Sequence, residues 1–395
     1  VTRALTAAGL ATIGVAYGFA RYPLGLYLPE VRAEFGLSVG QAGALSSASY
    51  LSCLAALLAV GPLLDRFGPR CLVLASGVLA AVGIALVACA GTVLWLVTGT
   101  VLAGASSGLA WPACSAVVDA VVPARRVERV MAVIPNGTAL AVLVAGPVAL
   151  LVHGPAWRWA WWLFAAAALG VVLWNARLLP RSRGQRASGR PGRWLRCAPA
   201  VPLLATALLY GVCGAVYWLF AVPAVAEATG GSTGAPALFW TVLGAAGVLG
   251  TATGWLIARL GLRRTHTVLI AAFAVAAALL GLAPASLPAV LVSAALYGVT
   301  FMAISGLLAV WSYRVFPAHP AAALSAVLIC MGVGTILGPS ALGWIADRHG
   351  LAVALLLVAG LATATLALRP GRAHDTERAA PGAGPRPVTS ATRTT

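Results

Sequence analysis

Apolar runs of about 20 residues recur along the whole chain, and most of its charge sits in the gaps between them. A run of that length crosses a bilayer as one α-helix, because in lipid each backbone N–H and C=O must be bonded inside the segment. Only 9% of the 395 residues are charged and 61% are hydrophobic, with mean hydropathy +0.95. A soluble domain carries about 25% charged residues to keep its surface wet. A soluble enzyme, a DNA-binding protein and a disordered chain are therefore excluded as readings, and a polytopic membrane protein remains.

Twelve segments qualify: 4–28, 41–63, 71–90, 93–121, 130–152, 157–179, 199–224, 236–258, 266–284, 288–313, 320–343 and 351–369. An even number places both termini on one side. The net charge is +17, and all 26 basic residues are Arg. With the N-terminus cytoplasmic, 22 of the 26 lie inside; Arg32, Arg158 and Arg348 lie outside, and Arg21 is within a span. The positive-inside rule thus predicts cytoplasmic termini and explains the charge without nucleic acid. Arg3 before an apolar run resembles a leader, but the run is as long as a full span, so a first span is expected instead.

Several chemistries lack their residues. Without Lys there is no phosphate-binding Walker loop and no Schiff base. The seven Cys form no C-x-x-C pair, and the five His show no metal-ligand spacing. No nucleophile, base and orienting group come together as a catalytic constellation. Neither an enzyme nor a cofactor is expected.

The chain repeats. A shift of 193 lays Tyr17-Gly18 on Tyr210-Gly211, and Gly61, Leu63, Arg66, Gly68 and Arg70 on Gly254, Leu256, Arg259, Gly261 and Arg263. At a shift of 192, Gly146-Pro147 falls on Gly338-Pro339. The predicted organisation is a six-helix half over 1–180, an Arg-rich cytoplasmic linker over 181–198, a second six-helix half over 199–370 and a disordered cytoplasmic tail over 371–395. The fold class is an all-α membrane protein of twelve transmembrane helices in two pseudo-symmetric halves. Parallel halves of this kind mark one transporter architecture.

The loop GPLLDRFGPR at 61–70 resembles the signature of the major facilitator superfamily, with Gly61, Leu63, Asp65, Arg66, Gly68 and Arg70 matching and Pro69 departing. The stretch YGFARYPLGLYLPEVRAEFGLS looks like a largely uncharacterised bacterial branch of that superfamily. The resemblance implies a transporter working by alternating access, with this loop as a latch between halves. Asp65, Arg66 and Arg70 would form the latch with Asp119, while Gly61 and Gly68 allow the turn and close packing. Ala258 stands where the second half would need its Asp, so that copy is expected to be incomplete. Thr100 replaces an Arg typical of drug:proton antiporters, which argues against that branch.

Arg21 is the charged residue within a span, and such a residue faces protein or a water-filled cavity. It reads as an anchor for a carboxylate; the alternatives are a pair with Glu30 or an outward snorkel. The resemblance implies that spans one, four, seven and ten line the cavity. That makes Tyr17, Trp111, Tyr210, Tyr217 and Tyr297 candidate substrate contacts, with Asn136 in span five. Packing and interfacial belts remain the plainer reading of each aromatic. No acidic residue lies at mid-membrane, so coupling to protons or to a counter-anion stays open. The expected function is transport of a small solute, an organic anion for preference, in the lipid bilayer of a bacterial inner membrane. The rivals are a proton-coupled exporter of lipophilic or cationic compounds and a non-transporting receptor with the same fold.

Overall fold

The computed structural model describes residues 2–152, 154–180, 200–230, 234–316 and 320–371. The predicted linker, and the tail beyond residue 371, lie outside the described residues. The described residues are helical almost throughout, with no strand among them. Fifteen α-helices occur: α1 (Thr2–Ile13), α2 (Pro23–Leu26), α3 (Leu28–Phe35), α4 (Val39–Ala88), α5 (Val93–Val121), α6 (Ala124–Val133), α7 (Asn136–Leu151), α8 (Trp157–Leu178), α9 (Ala200–Ala228), α10 (Ala235–Leu249), α11 (Thr253–Leu260), α12 (Leu262–Leu282), α13 (Leu287–Val315), α14 (Pro320–His349) and α15 (Leu351–Thr365).

Among the described residues, eight helical stretches are singly long and apolar enough to cross a membrane, and α10 with α11, bent by 56°, makes a ninth. The remainder follow from how the chain breaks. At about 1.5 Å per residue, α4 is more than twice as long as a bilayer core is thick. It kinks at Gly68, which has φ 76° and ψ 163°, and so supplies spans two and three. Span one is α1, a π-helical turn over Gly14–Phe19, and α2. Span twelve is the shorter α15, and span five, α6 with α7, is already among the eight. The grouping fits twelve segments.

The repeat seen in sequence reaches the backbone. Gly261, at the shift of 193 from Gly68, has φ 81° and ψ 163°. That region is essentially closed to any residue with a Cβ, at a cost of about 1–3 kcal/mol. The same glycine therefore sets the same reversal between the second and third spans of each half. Gly68→Ala is expected to lower the thermal midpoint of the protein in detergent by an amount matching that cost; an unchanged midpoint would show that the kink does not depend on glycine.

Within the first half, α4 packs on α5 and α8. Gly104 and Gly108 of α5 lie so close to the Ser49 and Cys53 carbonyls that a Cβ would collide there. In the second half α14 lies on α9 in the same way, with Gly334 against the Leu208 carbonyl. Small residues let apolar helices approach closely where no hydrophobic effect drives them together. Between halves, α4 meets α14 and α7 meets α10. These two seams exchange places when the halves are interchanged, as a pseudo-twofold axis requires.

Candidate functional site

A cavity of about 240 Å³ lies between the halves. Its walls come from the π-helical part of span one, from α4, α5 and α7 in the first half, and from α9, α13 and α14 in the second. The π turn is visible in two i→i+5 bonds, Ala20 N–H to the Val15 carbonyl at 2.8 Å and Tyr22 N–H to the Tyr17 carbonyl at 3.1 Å. Interrupted helices of this kind are frequent where a protein binds a ligand. Gly18 packs on Ala141 and Gly25 on the Trp218 carbonyl, which holds the irregular segment against both halves.

Arg21 lines this cavity. Its Nη1 donates to the Cys53 sulfur at 3.5 Å, a weak bond, and its Nε is buried without a partner. Rings supply much of the rest of its surroundings, and Ser46 and Ser49 line a smaller pocket with it. Its guanidinium carbon lies 4.0 Å from the Tyr50 ring centre, 5.8 Å from that of Tyr17 and 6.0 Å from that of Tyr22. It does not pair with Glu30, and among the described residues no carboxylate neutralises it. Cation–π contacts return about 0.5–2 kcal/mol each. The effective penalty for withdrawing an ion from water is several kcal/mol.

Tyr17, Trp111 and Tyr210 also line the cavity. Tyr210 donates its hydroxyl to the Phe301 carbonyl at 2.8 Å. Tyr217 and Tyr297 do not reach the lining. They stack on each other inside the second half, 3.8 Å between ring centres. The Tyr217 and Ser293 hydroxyls are 2.6 Å apart, and Tyr297 donates to the Gly214 carbonyl at 3.0 Å. Asn136 stands at the first turn of α7 and donates weakly to the Ala132 carbonyl at 3.4 Å; its neighbours Pro135 and Thr138 line the cavity in its place.

The lining includes residues that sequence reasoning passed over, Tyr22, Tyr50, Cys53 and Trp218, together with Phe301. Tyr50, Cys53 and Leu57 follow helical spacing on α4, a stripe that was legible but lay outside the four spans the resemblance pointed to. Trp218 stacks on Tyr22 across the halves at 4.2 Å, and Phe301 meets both rings edge-on. Among all lining residues Arg21 is the only charged one.

Polar links between the halves collect at the end that carries Arg32, Arg158 and Arg348. Arg32 pairs with Glu227 at 3.0 Å. Asp347 accepts from the Ser38 hydroxyl and the Gly40 N–H, both at 2.8 Å, so a carboxylate of the second half sits on the N-terminus of α4. The helix dipole favours an anion there. Ser47 donates to the Ile336 carbonyl at 2.6 Å and accepts from Ser340 at 2.8 Å. The Asp347 contact is exposed and worth about 1 kcal/mol at most. Asp347→Ala is therefore expected to raise the alkylation rate of Cys53 from that end about fivefold; no change would mean that Asp347 does not hold this end shut.

At the Arg-rich end, the four residues expected to form a latch make no ion pair with one another. Arg70 donates to the Ala176 carbonyl at 2.7 Å, capping the end of α8, and Arg66 lies 5.3 Å from the Phe67 ring. Asp65 and Asp119 are exposed. Gly61 has open space where a Cβ would lie.

Helical segments that fit twelve spans, in two repeated halves with a cavity at their seam, define the architecture of a membrane carrier. The profile of the Major Facilitator Superfamily matches residues 10–327, and the chain belongs to that family. Transcription regulatory protein OpdE of Pseudomonas aeruginosa is 29% identical over 364 residues, covering 86% of this chain and 88% of that one. The uncharacterized MFS-type transporter YwfA of Bacillus subtilis is 26% identical over 315 residues, covering 76% and 75%. The crystal structure of the nucleoside transporter NupG superposes with a TM-score of 0.73 at 15% identity, over 93% of this chain and 98% of that one, a likeness of fold.

Proposed function

We propose that the protein is a secondary transporter that carries a small organic anion across a bacterial cytoplasmic membrane by alternating access. The observation that carries this reading is the uncompensated charge of Arg21 inside an otherwise uncharged cavity between the halves. A buried cation without a counter-ion is costly, and an anionic substrate is the group that relieves it. The Arg-rich end is cytoplasmic by the positive-inside rule, which places both termini inside. The seam held by Arg32–Glu227 and Asp347 is then the outer gate, drawn together. Opening it brings the inner ends together, where Asp65, Arg66, Arg70 and Asp119 are free to form the latch. Two packings of this sort differ by a few contacts at each end.

With no carboxylate or His in the lining, a proton-coupled exporter of cations lacks the group it needs there. A receptor is the second reading, because OpdE, a relative over most of the chain, is named a transcription regulatory protein. Reconstitution separates the readings. Counterflow of a radiolabelled organic anion in proteoliposomes is expected under the transport reading. Binding of the anion with no flux would support the receptor, and accumulation of lipophilic cations would overturn the anion reading.

A further inference from the structure

We infer that the cavity selects a monoanion of one particular build: a single carboxylate on a flat, apolar, ring-bearing body. The inference rests on the reading of Arg21 as the anion anchor and narrows it to a substrate class.

Charge counting comes first. The lining supplies one permanent positive charge and no negative one. A dianion would bring a second carboxylate with no partner, and a zwitterion an ammonium with none. Either enters the site with an uncompensated charge, which a desolvated site disfavours.

Shape and polarity come next. The rings of Tyr17, Tyr22 and Tyr50 surround Arg21, and Trp218 and Phe301 extend the aromatic wall from the other half. Met302, Leu328 and Met331 add an apolar surface from the second half. The hydroxyls of Tyr210, Ser305 and Thr335 already donate to the carbonyls of Phe301 and Gly332. The lining tyrosine hydroxyls that remain, on Tyr17, Tyr22 and Tyr50, belong to the rings around Arg21, so a sugar acid or other polyol would find fewer donors away from its carboxylate. A ring finds faces and edges to stack against, and aromatic pairs gain beyond the area they bury. The carboxylate goes to the guanidinium, the ring to the wall shared by the halves.

Cys53 offers a direct test. Its sulfur lies 3.5 Å from Nη1 of Arg21, and Asp is close to Cys in size. Cys53→Asp places a resident carboxylate where the substrate's would lie. Thermal stabilisation of the purified protein would be measured with benzoate, phthalate, phenylalanine, gluconate and phenethylamine, on wild type, Cys53→Asp and Arg21→Gln. On wild type, benzoate is expected to bind at least tenfold more tightly than any of the other four. Cys53→Asp is expected to lose the benzoate response while keeping the wild-type melting temperature or exceeding it.

Equal Arg21-dependent responses to phthalate or gluconate would overturn the ring-bearing monoanion and leave the anion anchor standing. A response to phenethylamine that persists in Arg21→Gln would overturn both. Silence of the wild type toward benzoate would overturn the present inference. An unaltered benzoate response in Cys53→Asp would do so too. The wild-type panel decides the matter even where a variant fails to fold.

Discussion

Replacing Arg21 with Gln is expected to reduce the kcat/KM of anion transport by about two orders of magnitude or more. Removing one partner of a desolvated, hydrogen-bonded charge pair costs about 2–5 kcal/mol, which spans roughly 30-fold to several thousandfold. In the unloaded protein the guanidinium has a sulfur and three rings for company and no carboxylate. Its removal therefore breaks no strong resident bond, and the melting temperature is expected to hold or rise. Loss of transport with retained stability is the signature of a binding group. A structural Arg would show the reverse, with lost stability and nearly normal transport in the molecules that fold. Arg21→Lys is expected to fall between, because an ammonium keeps the charge but not the planar fork. Initial uptake rates in proteoliposomes, with a melting curve of each variant, check this. Wild-type uptake by Arg21→Gln would remove the anchor from the mechanism.

Gly43→Val is expected to abolish most transport, by tenfold or more, without unfolding the protein. Gly43 of α4 lies against the Pro339 carbonyl of α14, so closely that even a Cβ would collide with it. The contact crosses the halves at the end where Arg32 meets Glu227 and Asp347 meets the start of α4. Backbone cannot yield as a flexible side chain does, and overpacking of this kind costs about 1–3 kcal/mol. Each half keeps its own core, so the strain falls on the seam. The closed form at this end is thus penalised against the open one, and a carrier held in one form does not turn over. Cys53, in the cavity lining, reports the change. In a background with the exposed Cys71 and Cys89 replaced by Ser, a membrane-impermeant thiol reagent should label Cys53 faster from the Arg32 end in Gly43→Val than in wild type. Equal labelling with normal transport would mean that the two helices do not need this close approach.

The cavity shows where sequence reading stopped. Trp218 lines it while Tyr217, the next residue, packs inward. Successive residues on a helix point about 100° apart, so an error of one position changes the compartment a ring enters. The π turn adds to this. It shifts the residues after Phe19 out of the α-helical register, so spacing alone could not say what Arg21 would face. The latch motif was readable as a motif, but which of its residues touch depends on how the halves are set at that end.

What the sequence by itself determined is whatever the bilayer enforces. Lipid cannot hydrogen-bond, so the apolar runs had to be helices, and the Arg residues had to gather between them. The reversal at Gly68 and Gly261 was legible because a backbone conformation open to glycine needs glycine wherever it recurs. The tertiary structure decided the rest: which faces of α4, α9 and α13 look into the cavity, that Arg21 has rings and a sulfur around it instead of Glu30, and which end is held shut. Inside a membrane every helix face is apolar, so hydrophobicity does not tell a packed face from a cavity face. Only the close fit of glycine against backbone, and the place left over where the two halves do not touch, make that distinction.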